Sequence, residues 1–341
     1  MVHWLGAVQA QDYAGALWAI GLRLPDATET DIELAIAAKA IVRTWPMRGT
    51  LHFVAAQDVR WILSLLAPKM IARSNSRHRQ LELGEAVFSR GRELAARALQ
   101  GGKQLTRTEM YEVLQRGRIA TTGQRGIHIL GHLAQTGLIC FGPRRGKQHT
   151  FTLLDEWVPA ARPMLRDEAL ARLARRYFTS HGPATLHDFA WWSGLTVRDA
   201  KAGIDLAASQ LIHDVVDGTT YWLSGATHAG KKTRLVTQLL PAFDEYTVGY
   251  KDRSAILNPK YVKRLNAGGG MLSPVIVAHA EVVGTWKRSF RSNSVVVTPD
   301  PFGTPPEAWS RLSAAAKRYG KFLRMPVVLD DSKRGGTPPQ A

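Results

Sequence analysis

The sequence predicts an α+β fold: three tandem winged helix-turn-helix modules followed by a small β-rich C-terminal domain. Two observations predict it. The order helix, helix, two-stranded ribbon occurs three times before residue 225, an internal repeat of supersecondary units without a fixed period. Past residue 234 the pattern turns to strands. A chain of 341 residues with 45% apolar content is long enough for two or three domains with cores of their own. The expected boundaries are 1–100 for the first module with its connecting helices, 101–160 and 161–225 for the second and third, 234–329 for the β-rich domain, and 330–341 for a disordered tail.

In chain order, Leu17, Ile20 and Leu24 lie at helical spacing and predict a helix over Tyr13 to Leu24, ended by Pro25-Asp26. Thr30-Asp31 caps a short helix, Ile32 to Lys39, with Asp31 placed for the N-terminal dipole. Ile41 to Trp45 and Gly49 to Val54 read as strands around a turn at Pro46-Met47-Arg48. Helices follow at Asp58 to Met70 and Leu81 to Leu99, linked by the basic Arg73 to Arg79 stretch. Only eight residues precede Gln9. Thr106 to Glu109 has capping-box spacing and opens a helix to Arg116. Gly123 to Leu138 forms the next, the recognition helix by position, with Gln124, Arg125 and His128 on offer. Leu138 to Phe141 and His149 to Leu153 make a hairpin tipped by Gly142 to Lys147. In the third module Asp167 to Ser180, a helix from Thr185, and a helix from Thr196 to Ala208 precede a hairpin around Asp217-Gly218, a tight-turn signal. Trp191-Trp192 reads as core. After the Gly225 to Lys232 linker, strands are expected at 235–240, 275–279, 282–286 and 294–298, then a helix from Pro306 to Lys321 and a last strand, Met325 to Leu329.

Charge is the strongest global property. Forty-five Lys and Arg against 28 Asp and Glu leave a formal net charge of +17, a field that attracts phosphates and supports salt-dependent nucleic-acid binding. No run of 18 apolar residues and no signal segment is present, which points to a cytoplasmic, nucleoid-associated protein without a membrane partner. The single Cys140 excludes an internal disulfide and a cysteine-cluster zinc site. The 11 histidines are scattered without zinc spacing, and no phosphate loop, dinucleotide fingerprint or nucleophile elbow occurs. No cofactor or metal is therefore expected.

Gln9-Ala10-Gln11 is the segment without a competing engine. In an extended chain, residues two apart face the same way, so both amides could converge on one ligand; in a helix they would diverge by roughly 200°. Amides can hold and orient a water but lack useful basicity, which suits a leaving group that already carries positive charge. A solvated pair of glutamines is the plain alternative. Arg144, Arg145 and Lys147 on a glycine-bounded tip could meet phosphates or simply be solvated. Asp244 and Glu245, beside Tyr246, could orient a catalytic group or pair with Arg48 or Arg253. Thr285 to Arg291 is a basic-aromatic ribbon, where Lys287, Arg288 and Arg291 could neutralise phosphates while Trp286 or Phe290 wedges into a groove.

Taken together, Gln9-Ala10-Gln11, Arg43 to His52, Leu239 to Tyr246 and Gly284 to Arg288 resemble the AlkZ-like and YcaQ-like DNA glycosylases, a bacterial family that includes an azinomycin-resistance enzyme. The resemblance covers nearly the whole chain. It implies the same three winged helices, and a further helical segment ahead of the glutamine motif that would leave the first module here without its opening helix. It also implies that Gln9 and Gln11 are catalytic. Related branches carry Asp or His at one of these positions, so the Gln-Gln form lies nearer the crosslink-unhooking branch. The implied reaction is hydrolysis of the N-glycosidic bond of N7- or N3-alkylated purines, interstrand crosslinks included, by a monofunctional enzyme with a water nucleophile. The partner implied is double-stranded DNA carrying alkylated or crosslinked purines, bound by a monomer. Arg48, His52, Arg144, Arg145, Lys147, Trp286, Lys287, Arg288 and Arg291 are the expected DNA contacts, with Asp12, Asp244, Glu245 and Tyr246 as supporting residues. The rival is a non-catalytic winged-helix regulator, since fold alone does not give function.

Overall fold

The computed structural model describes residues 1–225, 237–268, 270–303 and 311–330. It is a mixed helix and sheet structure in two compact units, Met1–Gln11 with Glu33–Thr227 and Asp12–Ile32 with His228–Ala341. The chain opens with α1 (Val2–Leu5) and β1 (Val8–Gln9), then α2 (Tyr13–Gly21) and α3 (Glu29–Ala37). α3 starts ahead of its expected position because Asp31 reaches back to the amide and hydroxyl of Thr28, at 2.8 and 2.6 Å, and closes the first turn there.

β2 (Ile41–Met47) and β3 (Thr50–Ala55) form an antiparallel hairpin. The turn falls at Arg48-Gly49, not at Pro46 to Arg48. Pro46 stays inside β2, at a register irregularity between Thr44 and Met47, where a missing N–H disturbs the ladder least. Arg48 and Gly49 have φ of 53° and 75°, the primed two-residue turn that matches strand twist.

α4 (Ala56–Gln80) is continuous through Pro68, so the basic Arg73 to Arg79 stretch is helical and not a link. Proline removes one helical hydrogen bond, but packing anchors the far end: His78 is buried edge-on to Phe88 and His132, and Arg77 donates to Gln124. α5 (Glu85–Leu99), β4 (Leu105–Thr106), α6 (Arg107–Arg116), α7 (Arg125–Gln135), β5 (Ile139–Phe141), β6 (Thr150–Leu153) and α8 (Leu154–Trp157) follow. The capping box at α6 forms as expected, Thr106 and Glu109 each bonding the other's amide. Leu114, Ile129, Leu130 and Phe151 pack a core between α6, α7 and the second hairpin. Both hairpins share one six-stranded sheet, β1-β3-β2-β5-β6-β4, joined where Arg43 pairs with Phe141.

α9 (Arg166–Ser180), α10 (Leu186–Ser193) and α11 (Val197–Leu206) lead to the hairpin β7 (Leu211–Val216) and β8 (Thr219–Ser224), turned at Asp217-Gly218. Trp192 is fully buried, whereas Trp191 is 46% exposed, so only one of the tryptophan pair is core.

The second unit holds β9 (Gln238–Leu240), α12 (Glu245–Val248), α13 (Val262–Leu265), the hairpin β10 (Asn266–Gly268) and β11 (Met271–Leu272), β12 (Val275–Ala278), β13 (Glu281–Arg291), β14 (Ser294–Pro301), α14 (Leu312–Leu323) and β15 (Val327–Leu329). Its main sheet runs β15-β14-β13-β12-β9, with β14 and β15 parallel. α2 belongs here by packing: Trp18 donates to the Leu239 carbonyl at 2.7 Å and meets the rings of Tyr319 and Phe322. A Cβ at Gly21 would lie 2.4 Å from the Phe322 ring, so only glycine lets α14 approach. The linker after Gly225, residues 235 and 236, the start of the helix expected from Pro306 and the tail beyond Asp330 lie outside the described residues.

Candidate active site

The Gln9-Ala10-Gln11 segment is held from both sides. Asp58, in the first turn of α4 where the helix dipole favours a carboxylate, is buried and gathers three partners. His3 Nδ1 of α1 and Arg176 Nη1 of α9 lie at 2.7 Å, and Trp61 Nε1 donates at 3.0 Å. α1 is thereby tied to two long helices. Gly6 then turns the chain at φ 84°; a Cβ there would crowd Trp192 and Arg176. β1 pairs antiparallel with β3, Gln9 opposite His52. Ala10 donates to the Leu51 carbonyl at 2.7 Å, and its own carbonyl accepts from Arg43 Nε and Nη2 at 3.2 and 2.8 Å. Ala7, Val8 and Ala10 are wholly buried, so the start of the chain is core here and the strand is extended rather than helical.

Each amide is also oriented. Gln9 is 7% exposed and its Oε1 accepts from Arg48 Nη2 at 2.9 Å. The same Nη2 lies 3.2 Å from His52 Nε2, and Arg48 Nη1 donates to the Trp192 carbonyl. His52 Nδ1 is 3.0 Å from the Thr50 carbonyl; a carbonyl only accepts, so Nδ1 carries the proton and Nε2 receives the guanidinium. Gln11 is exposed, and its Oε1 accepts from the Leu51 amide at 3.2 Å. Guanidinium and backbone N–H only donate, so both side-chain carbonyls are turned to these donors and both NH2 groups to the opposite edge. A left-handed arginine costs about 1–2 kcal/mol; the bonds from Arg48 to Gln9, His52 and Trp192 hold it there.

Two sequence-based assignments change at this point. His52 is fully buried and spends its ring on Thr50 and Arg48, so it supports the site from beneath instead of touching DNA. Arg48, half-buried, positions Gln9. Arg43 went unnoticed; the signal was a cation inside an otherwise apolar strand, a placement that needs a buried acceptor.

On the second hairpin's tip, Arg144 pairs with Glu33 and Arg145 with Glu109 at 2.8 Å and the Gln104 carbonyl at 2.6 Å. Lys147 is exposed. His149, at the base of this hairpin, is held neutral, its pKa lowered to about 4 by burial and then by Arg43, Arg144 and Arg107. Gln11, Trp45, Arg107, Thr108 and Lys147 line a cavity of about 490 Å³ with Phe141 and Phe151 at its base.

The remaining candidates lie in the second unit. Trp286 is 2% exposed and donates to the Leu240 carbonyl at 2.8 Å, so it is a core residue and no groove wedge. Arg288 donates to the Tyr319 hydroxyl at 2.6 Å and approaches Asp12 at 3.9 Å. Lys287 and Arg291 are exposed on β13, as is Phe290. Asp244 is fully buried, takes both nitrogens of Arg23 at 2.7 and 2.8 Å and caps α12. Its partner is thus Arg23 rather than Arg48 or Arg253. Glu245 is buried, and the Tyr246 hydroxyl donates to the Ala280 carbonyl. Among the described residues, no group of three His, Cys, Asp or Glu could hold a metal ion, and no helix is long and apolar enough to cross a membrane.

The chain resembles known proteins over this whole architecture. It is 28% identical over 351 residues to an interstrand DNA cross-link repair glycosylase of Streptomyces sahachiroi, spanning 95% of this chain and 91% of the relative. The solved structure of Streptomyces sahachiroi DNA glycosylase AlkZ superposes with a TM-score of 0.78 at 26% identity, covering 96% of this chain and 92% of that one. The sequence model of the family described as "DNA glycosylase AlkZ-like" matches residues 2–322. That match takes in the paired glutamines, the hairpin that orients them and nearly the whole chain, and the chain belongs to the AlkZ-like DNA glycosylase family.

Proposed function

We propose that this protein hydrolyses the N-glycosidic bond of N7- or N3-alkylated purines in duplex DNA and unhooks interstrand crosslinks, with Gln9 and Gln11 at the reacting sugar. The carrying observation is the fixing of both amides by donors, Gln9 by Arg48 and Gln11 by the Leu51 amide. An exposed, unengaged pair would suit a solvated surface; an oriented pair on a buried strand suits a site set up before its ligand arrives.

The chemistry follows from the leaving group. An alkylated purine is cationic, so the C1′–N9 electron pair neutralises it as the bond breaks and no general acid is required. A water adds to C1′ and gives up its proton to solvent. The amides hold water and base in line, and no lysine Schiff base or strand cleavage takes part. The cross-link repair named for the Streptomyces relative supports extension to crosslinks. The three helix and hairpin groups, in 1–100, 101–160 and 161–225, are taken as winged helices on the duplex and 234–329 as the β-rich domain. Lys147, Lys287 and Arg291 are the exposed phosphate contacts, with Arg144, Arg145 and Arg288 exchanging their present partners for phosphate. The enzyme works as a monomer at the nucleoid. Family membership disfavours the regulator.

The test is base release from a duplex with one N7-methylguanine. The wild type should release it, and the Gln9→Ala, Gln11→Ala double variant should not while still binding duplex. Equal loss of binding and release would make the pair a DNA contact.

A further inference from the structure

The cavity beside Gln11 has a use that the hydrolysis itself does not assign. It lies wholly in the first unit, between β2–β3, the second hairpin and the start of α6. At about 490 Å³ it falls within the range of small-ligand sites. Trp45 is half-buried there, its ring 5.1 Å from Phe141, and aromatic floors of this kind accept nucleobases by stacking. Arg107 and Lys147 stand exposed at the mouth. Gln11 turns its NH2 edge away from the Leu51 amide, and purines offer ring nitrogens and exocyclic oxygens that accept such bonds.

Resting on the glycosylase reading, we infer that this cavity receives the damaged purine, turned out of the duplex, with its neighbouring phosphates on Arg107 and Lys147. Charge favours departure of the base over its retention on the sugar. Three cations line the cavity, Arg43, Arg107 and Lys147, and they oppose a cationic alkylpurine but not the neutral base it becomes. Interaction therefore improves as the glycosidic bond breaks, which is the differential binding that speeds a reaction. Extrusion itself costs least for a damaged base.

Thr108→Trp fills the mouth from an exposed position beside the Thr106–Glu109 cap without disturbing it, and Trp45→Leu removes the stacking face. In single-turnover release from the N7-methylguanine duplex, Thr108→Trp should release almost no base, and Trp45→Leu should be slowed about tenfold, both with wild-type affinity for undamaged duplex. A 2-aminopurine placed next to the lesion should brighten on binding wild type, as its neighbour leaves the stack, and stay dim with Thr108→Trp. Wild-type release rates in Thr108→Trp would overturn the inference. So would a loss of duplex affinity that matches the loss of release, which would make the mouth a duplex contact. A wild type that releases no base would instead overturn the glycosylase reading beneath it.

Discussion

At the scale of single residues, the polarity of Gln9 is the feature with the sharpest consequence. Arg48 can only donate, so the Gln9 carbonyl is committed to it, and on the proposed reading the amide would act through its N–H edge. Gln9→Glu preserves shape and pairs with Arg48 as a salt bridge, yet presents no N–H. Base release from N7-methylguanine should fall about 100-fold, the loss typical of one removed catalytic donor, with duplex affinity unchanged. An equally fast or faster Gln9→Glu enzyme would mean that the carbonyl edge does the work. Arg48→Lys should keep a cation but lose the fork that spans Gln9, His52 and the Trp192 carbonyl, lowering the turnover rate more than substrate affinity. The two glutamines are legible in the sequence as amides two residues apart with no competing motif, and their candidacy comes from the family resemblance; the burial of Gln9 is not written there. Arg48 and His52 were legible only as cations of a motif; their inward direction depends on the left-handed turn at Arg48-Gly49, which was set one residue too early by giving Pro46 the turn.

At the scale of elements, the α4–α7 contact makes an acid-labile joint. His132 stacks on Phe88 with ring centroids 3.8 Å apart, and burial, then His78 and Arg92, lowers its pKa to about 4. His78 and His128 are shifted down as well, again by desolvation first. An imidazole whose folded pKa is depressed from 6.5 stays neutral while the unfolded chain takes up protons. Stability is therefore full above about pH 6.5 and is lost as pH falls towards 4. His132→Leu should flatten the decline of melting temperature over that window; an unchanged slope would place the acid sensitivity elsewhere. Helix existence and the capped starts at Thr106, Thr185 and Thr196 were readable from local signals. The unbroken α4 was not, since the basic run Arg73 to Arg79 shows no apolar periodicity past Met70 and only the burial of His78 at the far end reveals its inner face.

At the scale of the whole molecule, the charge of +17 should make binding to undamaged duplex steeply salt-dependent; indifference of that binding to sequence would favour the repair reading over a regulator. Arg144 and Arg145 already have carboxylate partners in the protein, so exchanging them for phosphate gains less than engaging Lys147. Lys147→Ala should reduce the slope of log affinity against log salt by about 0.9, the release from one phosphate; an unchanged slope would remove the tip from the contact surface. The modular order of helices and hairpins was visible in the sequence, but two long-range facts were not. One sheet spans the first two hairpins through Arg43 and Phe141, and residues 12–32 pack with the C-terminal sheet. Both depend on pairings between segments more than 90 residues apart, Arg43 with Phe141 and Trp18 with Leu239, which no local periodicity encodes.

The anchoring of α1 also sets a schedule for synthesis. Gln9 leaves the ribosome well before the residues that hold it: it is oriented through Arg48 against the Trp192 carbonyl, and its strand is tied back through His3, Asp58 and Arg176. At about 5–20 residues per second, the last of these partners emerges some tens of seconds after the first. A nascent or prematurely terminated chain that ends short of Trp192 thus carries Gln9 without the Arg48–Trp192 contact behind it, and on the proposed reading it should release no base.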